Sequence, residues 1–182
     1  AAISANLHVG AASKPNTWRD LSPGQMLIGG RLAFADFDQW RRVYDRYAEL
    51  AASNASAEEG LAFSVKDLYI DEVMVFDNLL EAAQISLRSD PYAWLLHINS
   101  PQVLGDLHIP RAGSAAGDVY KLKLDYLSLP SPRDSSANSL AGVDPRGLPS
   151  VDLDIVKLSI GDEVMGRLGF DLRSDTDGAH FY

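Results

Sequence analysis

The sequence predicts a mainly-β or α+β fold. The expected form is an antiparallel β-sandwich or barrel of about seven to nine strands with one amphipathic helix near 36–52. Three observations predict it. VYKLKLDYLSL alternates, with Tyr120, Leu122, Leu124 and Tyr126 on one side and Lys121, Lys123 and Asp125 on the other, the period of a half-buried strand. Most other apolar runs are short and bounded by Gly, Pro, Asn or Ser, the residues that turn a chain. One stretch alone carries a clear helical-period stripe: Phe37, Trp40, Tyr44, Tyr47 and Ala51 recur in steps of three and four.

Taken in order, Ile3 to Val9 reads as a first strand with Ile3, Ala5, Leu7 and Val9 on one face. A loop rich in turn formers follows, with Pro15, Asn16, Pro23 and Gly24. MLIGGRLAF is a strand interrupted at Gly29-Gly30, where a bulge or a close approach of another backbone is expected. The helix opens at Asp36, whose carboxylate caps it with Gln39 three residues on. Its charges fall as Asp38–Arg42, Arg41–Asp45 and Arg46–Glu49, pairs that suit a solvated helix face. A helix that lays aromatics on a sheet therefore explains the stretch without a ligand, although an aromatic–Arg binding face fits the same residues. Asn54 and Gly60 end it. Asn54-Ala55-Ser56 also matches a glycosylation sequon.

LAFSVKDLYIDEVMVFD reads as a strand apolar on both sides in its later part, as for one buried on both faces. NLLEAAQISL is expected to form one or two helical turns. YAWLLHI and QVLGDLHI are short strands, and GSAAGD is a turn. VDLDIVKLSI starts with Val151, Leu153 and Ile155 inward and then shifts parity to Val156, Leu158 and Ile160, the mark of a bulge. EVMGRLGFDLRS is a strand with Leu168, Phe170 and Leu172 inward. The segment 130–150 holds four prolines, five serines and two glycines in 21 residues. That is long for a connection in a compact domain and reads as a loop or arm. No internal repeat and no domain boundary stand out, so 1–182 reads as a single domain.

Composition narrows the function. The chain has 182 residues, 46% hydrophobic and 23% charged, enough for a folded core. Its net charge of −9, with no Lys/Arg run longer than Arg41-Arg42, leaves no basic face for nucleic acid or for an anionic membrane surface. No apolar run approaches the ~20 residues of a membrane-spanning helix. Without cysteine there are no disulfides, thiolate metal ligands or cysteine nucleophiles. The start at Ala1-Ala2-Ile3 fits Met removal, signal-peptide cleavage or precursor processing, and an extracellular or virion setting is slightly favoured over the cytoplasm.

Chemistry-bearing constellations are sparse. Phosphate-binding glycine loops and a nucleophile elbow are missing. Asp152 and Asp154 share a strand face at about 7 Å, a spacing open to acid–base hydrolysis. Pairing with Lys121 and Lys123 on a neighbouring strand is the favoured reading. His97 and His108 end successive strands and would meet as metal ligands, with Asp106 nearby, if those strands pair. Asp171, Asp175 and Asp177, followed by Gly178, resemble part of a calcium loop that lacks its closing Glu. Trp18, Trp40, Tyr44 and Trp94 are candidate stacking platforms for a sugar. LYIDEVMVFDNLLEAAQI resembles the closing strand of some concanavalin-like lectin domains, which place it near their end, so no site is carried over. The expected function is a non-catalytic structural or assembly subunit of virion, tube or surface-layer type that packs against copies of itself or a protein partner, with no cofactor. A carbohydrate-binding module is the alternative, and an acidic-residue hydrolase stands third.

Overall fold

In the computed structural model, the described residues are 4–10, 25–37, 39, 42, 62–75, 78–89, 92–110, 119–131, 149–174 and 179–181, and the structural statements that follow concern these. They form ten strands: β1 (Ala5–Val9), β2 (Gln25–Asp36), β3 (Ala62–Val75), β4 (Asn78–Ser89), β5 (Ala93–Asn99), β6 (Val103–Pro110), β7 (Val119–Leu129), β8 (Ser150–Ile160), β9 (Glu163–Ser174) and β10 (Ala179–Phe181). The mainly-β class is as expected. The chain divides into two compact units, Ala1–Ser89 and Asp90–Tyr182.

In the first unit β1 pairs parallel with β2, β2 parallel with β3, and β3 antiparallel with β4. In the second, β5–β6, β6–β7, β8–β9 and β9–β10 are antiparallel, and β7–β8 is parallel. The parallel pairs explain the long connections. A parallel neighbour must start beside the start of the previous strand, so the chain has to travel back along the whole strand. The three parallel steps coincide with the three longest connections, 10–24, 37–61 and 130–149. The Pro/Ser-rich segment 130–150 therefore has a topological reason for its length. Most of that segment lies outside the described residues.

The capping expectation at Asp36 holds. The backbone N–H of Gln39 donates to Asp36 Oδ1 at 3.0 Å, and its side-chain amide donates to Oδ2 at 2.9 Å. Phe37, Gln39 and Arg42 are helical. The remainder of the predicted helix 36–52, including Trp40 and Tyr44, lies outside the described residues.

The Gly29-Gly30 bulge is present, and its extra residue sits on the partner strand. Ile28 pairs with Val65 and Gly30 with Leu68, so Lys66 and Asp67 together oppose Gly29. Asp67 adopts φ 52° there. A Cβ on Gly29 would come within 2.6 Å of the Lys66 carbonyl oxygen.

NLLEAAQISL is a correction. The helical turns expected of it are absent, and it forms most of β4. Its Leu, Glu, Ala and Gln favour helix locally, but Leu80, Ala83 and Ile85 pair with Val73, Ile70 and Leu68 of β3, and this burial outweighs propensity. Ala35, Ile70, Val73 and Ala83 form the buried cluster of this unit. Ile70 and Val73 are both buried although of opposite parity, but Tyr69, Asp71 and Glu72 beside and between them are exposed, so β3 is not buried along both faces. The lectin-like segment 68–85 is thus two antiparallel strands rather than one closing strand. On β1, Ala5 and Val9 are half-buried, whereas Leu7 between them on the same face is exposed.

In β8 the parity shift occurs, one residue later than expected. Ile155 (1% exposed) and Leu158 are both buried although three residues apart, and the pairing with β9 is irregular between them. Val156, expected inward, is 57% exposed.

Candidate functional site

Register, more than any single residue, defines the most distinctive surface of the second unit. Following the pairs across β5 to β9 gives the row Leu96–Leu107–Leu122–Leu153–Phe170. One pleat further lies Ile98–Gly105–Leu124–Ile155–Leu168. Between these rows runs His97–Asp106–Lys123–Asp154–Gly169, and on the far side of the first row lies Leu95–His108–Lys121–Asp152–Asp171. Successive residues of a strand point to opposite faces, so the apolar rows share one face and the charged rows share the other. Gly105 interrupts the apolar face with no side chain because none fits: a Cβ there would meet Leu124 Cδ2 at 2.8 Å.

The apolar face is thinly covered. Leu124, Ile155 and Leu172 are buried, whereas Trp94, Leu96, Ile98, Leu107, Leu122, Leu153 and Phe170 are half-buried and Leu168 is exposed. Ile155 is the one large side chain among the described residues that is wholly buried.

On the charged face the groups largely pair among themselves. Arg167 donates to both carboxylate oxygens of Asp154, from Nε at 3.1 Å and from NH2 at 2.8 Å. This hydrogen bonding first, and the Asp154 charge second, raise the Arg167 guanidinium above its ordinary value. Asp154 and Asp152 lie opposite Lys123 and Lys121 in the β7–β8 register, the alignment the sequence suggested. The pairing with Arg167 was not foreseen. It could have been sought, since Arg167 is the one cation on this face of β9 near the middle of the strand. Asp152 also stands opposite Asp171, which has Arg173 at 3.6 Å. Two opposed carboxylates with basic residues on either side resemble a surface charge lattice more than an acid–base pair.

β5 and β6 do pair, as a meeting of the histidines required. Register places His97 opposite Asp106 and His108 opposite Leu95. His97 Nδ1 lies 2.8 Å from Asp106 Oδ1. His108 Nδ1 is buried and has no hydrogen-bond partner. No group of three His, Asp or Glu that could hold a metal occurs among the described residues. Trp94 lies on the apolar face, opposite Ile109. Trp18, Trp40, Tyr44, Asp175 and Asp177 lie outside the described residues.

A family described as "YhdP protein" matches residues 4–182, nearly the whole chain. The chain belongs to this YhdP protein family. No curated protein and no solved structure matches it. In this YhdP family member the second unit presents an apolar and a charged face. None of the described helical residues belongs to a helix long and apolar enough to cross a membrane.

Proposed function

We propose that this chain is a non-catalytic structural segment that holds lipid acyl chains against the apolar face of its second unit. The observation that carries the proposal is the pair of apolar rows running across β5 to β9 while most of their members stay half-exposed. A half-exposed Leu or Phe has about 1 kcal/mol still to gain from full burial, so an apolar ligand lying across several of them binds by area alone. The rows are mainly aliphatic and offer no side-chain donor or acceptor, which suits hydrocarbon better than sugar. Hydrolysis by Asp152 and Asp154 draws no support from a register that sets a lysine opposite each carboxylate, with Asp154 also held by Arg167.

The test is a photo-crosslinking amino acid placed singly on each face, with a labelled fatty acid as probe. At Leu122 or Leu153 it should capture the fatty acid, and at Lys121 or Asp152 it should not. Equal labelling of both faces, or none on either, would overturn the reading.

A second reading, packing against copies of the chain or a protein partner, draws on the outer edge of β9. Among the described residues β10 pairs only with Leu172, Arg173 and Ser174, while Val164 and Met165 are exposed further along. An uncovered apolar strand edge invites strand addition. A strictly monomeric mass at high concentration would count against it.

A further inference from the structure

We draw no further inference here: the strongest candidate, the His97–Asp106 pair on the charged face of the second unit, carries nothing as a metal site because no third ligand converges on it among the described residues and Lys123 stands opposite Asp106 in the register.

Discussion

Arg167 closes on Asp154 from the neighbouring strand with two hydrogen bonds, in the fork geometry a guanidinium offers a carboxylate. Register puts Asp154 opposite Gly169, so the arginine reaches diagonally over a position with no side chain. Both groups face water, which limits what the pair adds to stability. Arg167→Met should therefore lower Tm by about 2 °C or less. The guanidinium is raised in the folded state, so its contribution is complete below its unfolded value and fades only above that, beyond the alkaline range of ordinary work. The Tm difference between Arg167→Met and the parent should stay constant from about pH 7 to pH 10. A difference that shrinks across that window would show that the pair depends on some other titrating group.

Ile155 and Val156 are adjacent and should behave as opposites. Ile155→Ala empties a wholly buried site and should cost about 2–4 kcal/mol in denaturant unfolding. Val156→Ala, on the exposed side of the bulge, should change stability by less than about 0.5 kcal/mol. Similar losses at both positions would mean that the apolar face continues through Val156.

Backbone conformation gives a second pair of opposites. Gly30 has φ +127°, and a Cβ there would sit 2.1 Å from the Val9 carbonyl oxygen, so Gly30→Ala should push β1 off β2 and cost more than about 2 kcal/mol. Ala82 holds φ 49° within β4, a left-handed conformation that an L side chain pays for. Ala82→Gly should stabilise by about 0.5–1 kcal/mol, read as a shift in the urea midpoint at constant m. A loss on Ala82→Gly would refute the left-handed assignment.

His108 carries a buried nitrogen with nothing to bond. Replacing it by an apolar ring removes that unsatisfied group, so His108→Phe should be neutral or stabilising by up to about 1 kcal/mol. Marked destabilisation would reveal a partner for Nδ1 that the described residues do not supply.

Shortening 130–149 to four residues should prevent folding of the second unit. Val119 pairs with Ser150 and Leu129 with Ile160, so the connection must return along the 11 residues of β7. That distance is about 35 Å, and four residues reach about 14 Å at most. A shortened variant with native circular dichroism and an unchanged Tm would disprove the parallel pairing itself.

The sequence by itself determined the strands whose two faces differ in chemistry. β7 and the first half of β8 alternate Leu or Ile with Lys or Asp, and no other register buries one set while solvating the other. It also determined the local devices that depend on residues close in the chain: the Asp36–Gln39 cap and the double glycine whose missing side chains admit a bulge. Strand direction was decided only by the tertiary structure. Alternation reads the same for parallel and antiparallel neighbours, so the expectation of an antiparallel sheet missed the three parallel steps. The state of NLLEAAQISL was likewise settled by β3, which supplies hydrogen bonds and apolar partners that no local propensity encodes. The two-faced surface arose the same way: each strand carries its own pattern, but only pairing aligned five of them into rows.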